Sequence, residues 1–229
     1  MMANALITRG TQQPPPSLSL AGEISLALSR VHEICGTARR TFALQIAAHA
    51  GAPVVWIAPA HGRDRLAIPA LQHFINPGKI LFVTPQRQMD ILWSVEEVLK
   101  DGNVPIVVAE LEQPPAMTPI RRLHLAAETG TRHGPHRPLG LLLIPGAGGA
   151  PGIETRWRCE PAHKPDHKRV QPRWHLHRLR ARMLPPKRWL WDGTHTSPDI
   201  PPPQDMTAAP AKASPHGRAA SRQPTPPSS

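Results

Sequence analysis

The chain has 229 residues, of which 40% are hydrophobic and 19% charged, enough for one domain with a packed core and a tail. It contains 27 Lys and Arg against 16 Asp and Glu, a net charge of +11, and only two cysteines, which exclude a disulfide framework. No apolar run approaches the roughly 18 residues that a membrane span needs. We therefore expect a soluble, cytoplasmic protein that does not enter the membrane.

Proline and positive charge divide the chain. Residues 1–150 carry 13 Lys and Arg and 10 Asp and Glu, whereas residues 151–229 carry 14 and 6. A nearly neutral body with a basic C-terminal part is typical of a protein with an anionic partner, nucleic acid before membrane. A coding bias towards Arg, Ala, Pro and His would give the same composition without any function.

The prolines cluster at 14–16, at 114–119 and after 161, which places the ordered part between them. We expect four segments: a disordered N-terminal segment at 1–22, an α/β core at 23–161, a basic extension at 162–197, and a disordered Pro-rich tail at 198–229.

Short apolar runs alternate with helical patterns from residue 31 onward, which is typical of a mainly parallel sheet with helices on both faces. The predicted strands are 30–35, 53–57, 79–83, 105–109 and 139–144. The predicted helices are 37–50, about 69–74, 86–100 and 118–127, the last closed by Gly130. We expect the apolar strands to be buried on both faces. The alternating segment 153–159 could be an antiparallel edge strand, and 173–182 with 188–191 could form a hairpin at the sheet edge.

The loop after the first strand, GTARRT, has the context of a phosphate-binding loop: a strand, a glycine, then a helix N-terminus. Gly36, Arg40 and Thr41 would be its nucleotide-binding residues, and ATP its cofactor. However, the loop is short, and Arg39-Arg40-Thr41 stands where Gly-Lys-Thr is needed, so a side chain obstructs the approach of phosphate. We expect no hydrolysis, no catalytic residues, and a turn that serves structure only.

Two further patterns could mark a metal site, but each can also arise without any function. Glu110 ends the strand at 105–109, where a carboxylate linked to Mg²⁺ would lie, but any such strand can end in a solvated glutamate. Cys159, His163 and His167 have a spacing that superficially resembles half of a zinc site, but prolines interrupt it and the chain has 13 histidines. We predict no metal.

The basic extension mixes arginines with Trp174, Trp189 and Trp191. Arginines neutralise phosphates and exposed indoles stack on unpaired bases, so a DNA interface is one interpretation. A solvated basic edge with buried tryptophans is the other. The residues assigned to DNA contact are Arg173, Arg178, Arg180, Arg182, Lys187 and Arg188.

Several strings within residues 28–197 together resemble the bacterial ImuA proteins, RecA- and SulA-related accessory factors of damage-induced mutagenesis. They are HEICG, DILWSVEE, VVAEL, MTPIRRLHLAAE, PLGLLL, ETRWR, RWHLHRLRAR and WDGTHT. The resemblance implies a RecA-like fold and a role beside an error-prone Y-family-like polymerase of the ImuB type. RecA and DNA would be further partners.

The departure from RecA in the phosphate loop favours an interaction protein over an enzyme. We therefore expect a non-catalytic RecA-fold accessory protein of the DNA damage response, acting in translesion DNA synthesis. The alternatives are a divergent ATPase in which Arg40 and Thr41 replace Lys and Thr, and a cell-division inhibitor of the SulA type.

Overall fold

The computed structural model describes residues 15–61, 66–163 and 172–198. The predicted C-terminal tail, apart from its first residue, lies outside the described residues. Ser17–Ala21 (β1) pairs antiparallel with Ile24–Ala27 (β2). The disorder predicted for 1–22 is therefore wrong from residue 17 onward, because Leu18 and Leu20 of β1 pack against the core.

Within the described residues, nine strands form one sheet. They are Val31–Cys35 (β3), Val54–Ile57 (β4), Ile80–Val83 (β5), Ile106–Glu110 (β6), Leu139–Leu143 (β7), Thr155–Pro161 (β8), Trp174–Ala181 (β9), Lys187–Trp191 (β10) and Thr196–Pro198 (β11). Their order is β11-β10-β9-β8-β3-β7-β6-β4-β5. The six strands from β8 to β5 are parallel, whereas β9, β10 and β11 add on antiparallel.

Helices cover both faces of the parallel strands. Arg39–Ala50 (α1) packs Phe42 and Ile46 into the core on one face. Gln88–Asp101 (α3) and Met117–His133 (α4) form the core on the other face, and Ile68–Leu71 (α2) is a single turn. The predicted α/β class, a mainly parallel sheet with helices on both faces, is confirmed.

Strand β8 lies inside the sheet, parallel to β3, so the expectation of an antiparallel edge strand is wrong. Its alternating sequence has another cause. Trp157 and Cys159 are buried on the α1 face, whereas Arg156 and Arg158 lie half-buried on the other face. A strand with one apolar and one polar face has a sequence that alternates between apolar and polar residues, wherever the strand lies in a sheet.

Strand β5 is the edge strand at the opposite end, so the burial predicted for it on both faces is wrong. Leu81 and Phe82 are exposed there. Helix α4 is longer than predicted, because Gly130 lies inside it. A Cβ atom at Gly130 would collide with the Leu99 carbonyl oxygen, so this glycine lets α4 approach the end of α3 closely.

Candidate functional site

The turn from β3 into α1 is shaped by strand β8. Gly36 has a φ of +90°, and a Cβ atom there would collide with the Cys159 carbonyl oxygen. Only glycine combines this backbone conformation with such a close approach. In this structure Gly36 makes room for the neighbouring strand of the same chain.

Two backbone N–H groups of the loop that could bind a phosphate donate to the protein itself. The Thr37 amide donates to Glu160 Oε2 at 3.1 Å, and the Thr37 hydroxyl donates to the same oxygen. The Ala38 amide donates to the Cys159 carbonyl oxygen at 3.0 Å. Because the N-terminus of a helix attracts anions, the Glu160 carboxylate lies where the charge of a phosphate would be stabilised.

Arg40, at the lysine position of the loop, is held by Glu110 at the end of β6. Its Nε lies 3.0 Å from both carboxylate oxygens, and its Nη2 donates to Oε2 at 2.6 Å. The buried Trp56 indole donates to Glu110 Oε1 at 2.9 Å. Such a forked pair fixes both side chains, so the one basic group and the one acid predicted near a nucleotide neutralise each other.

In the structure, Gly36 follows β3 and Arg40 lies in the first turn of α1. Arg40 contacts Glu110 at the end of β6, so the three residues lie at the same edge of the sheet. Thr41, the third residue of α1, is half-buried. Nucleotide binding by Gly36, Arg40 and Thr41 stays a prediction that the geometry disfavours, since a triphosphate would have to displace Glu160 and separate Arg40 from Glu110.

A second buried carboxylate lies on the opposite face of β3. Glu33 accepts from the Gly149 amide at 2.6 Å, from the Ala150 amide at 3.1 Å and from Arg156 Nε at 2.8 Å. Gly148 passes so close that a Cβ atom there would collide with this carboxylate. The glycine-rich turn after β7 is thus clamped to β3 and β8 by Glu33 and Arg156.

His32, the residue before Glu33 in β3, is fully buried. Its Nε2 lies 2.9 Å from the Ala27 carbonyl oxygen, and its Nδ1 lies 2.7 Å from the Thr155 hydroxyl, which also accepts from the Trp157 indole. A carbonyl oxygen only accepts, so Nε2 carries a proton. Burial lowers the pKa of His32 to about 4.

Arg178 is buried, so its assignment to DNA contact is wrong. Its guanidinium lies 5.2 Å from the ring centre of Trp189 and 5.8 Å from that of Trp157, and it donates to the Pro185 carbonyl oxygen. Burial lowers the pKa of this arginine. The reason lies in the β9 alternation, which turns Arg178 to the same face as Trp174 and Leu176.

The tryptophans of the basic extension are core residues, as the second interpretation proposed. Trp174, Trp189 and Trp191 are all at most 6% exposed and pack around α1, with Trp191 edge-on to Phe42 at 5.4 Å between ring centres. Stacking of these indoles on unpaired bases is therefore excluded in this conformation.

The other basic residues assigned to DNA lie at or near the surface. Lys187 donates to Glu23 at 2.6 Å, Arg188 donates to His177, and the Arg173 amide donates to His163. Arg180 and Arg182 are exposed and line a cleft beside α4. DNA contact by Arg173, Arg180, Arg182, Lys187 and Arg188 stays a prediction.

We call this cleft of about 510 Å³ the basic cleft, because Arg30 and Arg121 line it together with Arg180 and Arg182. Sequence reasoning missed Arg121, which reads as an ordinary exposed helix residue. It also missed Glu160, because the contact with Thr37 spans 123 positions along the chain.

Among the described residues, no group of three or more His, Cys, Asp or Glu is placed to hold a metal ion. Cys159 is packed in the core on the α1 face, and burial raises its pKa to about 12, which opposes the thiolate form that binds zinc. His167, the third residue of the predicted half-site, lies outside the described residues.

No family model matches the chain, and no curated protein matches it significantly. Among solved structures it is similar to SulA from Pseudomonas aeruginosa, with 18% identity over 51% of this chain and 98% of that chain, at a TM-score of 0.41. Over the described residues, the helices are too short or too polar to cross a bilayer. The resemblance to the ImuA proteins stays a prediction.

Proposed function

We propose that this protein is a non-catalytic accessory factor of DNA damage tolerance that acts by binding other proteins. The observation that carries the proposal is the Glu160 carboxylate on the Thr37 amide, at the place where a nucleotide-binding fold receives phosphate. A protein whose phosphate loop is filled by its own chain keeps the body of such a fold without the chemistry.

Electrostatics favour this state over nucleotide binding. A triphosphate beside Glu160 would place like charges together, and each such contact opposes binding. Arg40 would have to leave a forked pair that is largely shielded from water, with side chains 26% and 13% exposed. Charged hydrogen bonds of this kind are the strongest in proteins, so their exchange for phosphate gains little.

The resemblance supplies the cellular setting. Two of its strings meet at the clamped turn, because HEICG contains Glu33 and ETRWR contains Arg156, which donates to it. This contact supports the view that these strings belong to one architecture. The ImuB-type polymerase is accordingly the partner that we propose first.

Nucleotide binding gives the sharpest test of the non-catalytic part. We expect calorimetry with ATP and Mg²⁺ to show no binding, and phosphate release to stay at the level of the Arg40→Ala variant, which serves as the control for contaminating ATPases. Turnover that Arg40→Ala abolishes would establish the divergent ATPase instead.

A gain-of-function variant tests the stated cause. Glu160→Gln removes the resident charge but keeps the side-chain shape, so inorganic phosphate should now raise the melting temperature, as any ligand of the native state does. The unmodified protein should not respond to phosphate. Equal responses of the two proteins would contradict the role given to Glu160.

The partner is tested separately. A tagged chain isolated from cells with damaged DNA should co-purify with the ImuB-type polymerase, and the tag alone should not. Absence of the polymerase from the complex would remove that partner from the proposal.

A further inference from the structure

We propose that the basic cleft binds an acidic peptide segment of a partner protein, whose carboxylates meet Arg121, Arg180 and Arg182 and whose apolar side chains cover Met117 and Leu125. This inference deepens the proposed partner-binding role by naming the surface and the chemistry of the segment. It does not depend on which protein supplies that segment.

The arginines of the basic cleft fall into two groups. Arg30 pairs with Glu128 and lies 3.7 Å from a Glu154 oxygen, so its charge is satisfied within the fold. Among the described residues, Arg121, Arg180 and Arg182 have no acidic group within ion-pair distance. The lining thus holds four arginines against two glutamates, Glu128 and Glu154, and this excess creates a positive potential focused by the walls of the cleft.

The cleft also offers apolar surface beside the charges. Leu125 is 61% exposed and Met117 is 38% exposed, both on the outer side of α4. Ile153 is part of the lining as well. This combination suits a ligand that has both carboxylates and apolar side chains. The carboxylates can bind the guanidinium groups, and the apolar side chains can cover the exposed aliphatic residues.

The walls are held in place before any ligand arrives. The Val31 amide donates to His124 Nδ1 at 3.4 Å, and His124 Nε2 lies 3.2 Å from the Gly152 carbonyl oxygen. Gly152 has a φ of +72°, and a Cβ atom there would lie 2.6 Å from Met117 Sδ. These contacts fasten α4 to β3 and to the turn before β8, which lowers the cost of ordering on binding.

The chain does not supply an acidic segment of its own. The segments outside the described residues are 1–14, 62–65, 164–171 and 199–229. Their Lys and Arg exceed their Asp and Glu in every case, by one, one, two and one respectively. None of these segments is therefore an occupant of opposite charge, and we assign that role to a partner protein.

Nucleic acid fits the cleft less well than an acidic peptide. Glu128 and Glu154 lie in its wall and would repel a uniform row of phosphates, whereas a peptide can space its carboxylates to avoid them. Among the described residues that line the cleft there is no Trp, Tyr or Phe, so bases find no large aromatic surface on which to stack. A volume of about 510 Å³ admits a few residues of a peptide but not a double helix.

The test uses the full chain and a fluorescein-labelled ten-residue peptide in which aspartate alternates with leucine. We expect saturable binding by fluorescence anisotropy that weakens as salt is raised. The Arg121→Gln/Arg180→Gln/Arg182→Gln variant should bind at least about tenfold more weakly, since three partly exposed ion pairs together contribute that much. Arg137→Gln, which removes one exposed arginine elsewhere, is the matched control and should bind normally.

Two further probes separate the occupants. A peptide with asparagine in place of aspartate should not bind, and Leu125→Ser should weaken the acidic peptide. A labelled single-stranded oligonucleotide that needs the same three arginines and is not displaced by the peptide would overturn the proposal in favour of nucleic acid. Binding of the acidic peptide that the triple substitution leaves unchanged would overturn it outright. Peptide binding without polymerase co-purification would leave this inference standing and remove only the proposed partner.

Discussion

The junction of β3 and α1 and the basic cleft treat charge in opposite ways. At the junction, Arg40 meets Glu110 and the Glu160 carboxylate meets a backbone amide, so the groups expected to bind a ligand bind each other. In the basic cleft, Arg121, Arg180 and Arg182 form no ion pair among the described residues, because the two acids of the lining, Glu128 and Glu154, lie beside Arg30. Charges that are paired within the chain stabilise the fold. Charges that have no partner within the chain can bind a ligand, which is the role that we propose for the basic cleft.

The largest expected effect is at the buried clamp beside the junction. Glu33→Gln removes the charge that Arg156 needs, and breaking a buried pair from one side costs about 3 kcal/mol or more in the free energy of unfolding. Urea denaturation measures this loss. Glu97→Gln, on the exposed side of α3, should cost less than about 0.5 kcal/mol. Equal, small losses in both variants would show that charge pairing at the clamp does not stabilise the fold.

Acid should weaken the same region through His32, whose pKa of about 4 lies below the value of 6.5 expected in the unfolded chain. Above pH 6.5 both states hold a neutral ring. Between pH 6.5 and 4 only the unfolded state gains the proton, so stability falls by about 3 kcal/mol over that window. His32→Gln should flatten this dependence of the free energy of unfolding on pH, whereas His49→Gln, at an exposed site, should keep it.

Arg178 sharpens the comparison, because it belongs to the sequence cluster of basic residues but is buried and bound within the fold. Arg178→Ala removes contacts with two indole rings and a carbonyl oxygen, so we expect a loss of about 2 kcal/mol in urea denaturation. Arg188→Ala, at the surface, should lose less than about 0.5 kcal/mol. A stable Arg178→Ala protein with impaired DNA binding would restore the original assignment to DNA contact.

The order of strands and helices was predictable because periodicity and turn residues are local signals. The place of β8 was not, because its alternation arises from one apolar face packed on α1 and one polar face on which Arg156 binds Glu33. A strand with one apolar and one polar face has the same sequence pattern at an edge or inside a sheet. Gly130 was similarly ambiguous. A glycine late in a helical pattern predicts an end, and only the closeness of Gly102 explains why the helix continues past it.

Some residues of the candidate sites could likewise be predicted from local sequence signals, and others could not. Gly36, Arg40 and Glu110 were found from position relative to predicted strands, because parallel strands bring their carboxyl ends to one edge. Glu160 and Arg121 gave no local signal. Each gains its role from elements far apart in sequence: Glu160 accepts from the Thr37 amide, and Arg121 lines the same cleft as Arg180 of β9.

The smallest effect expected is on stability in the basic cleft. Replacing Arg121, Arg180 and Arg182 together with glutamine should leave the free energy of unfolding within about 0.5 kcal/mol of the original, or raise it slightly, because like charges that repel one another are removed. Urea denaturation at low salt is the measurement, since screening hides such repulsion. A loss comparable to that of Glu33→Gln would mean that these arginines hold the fold together. The basic cleft would then resemble the junction of β3 and α1, and its arginines could not be regarded as charges available to a partner.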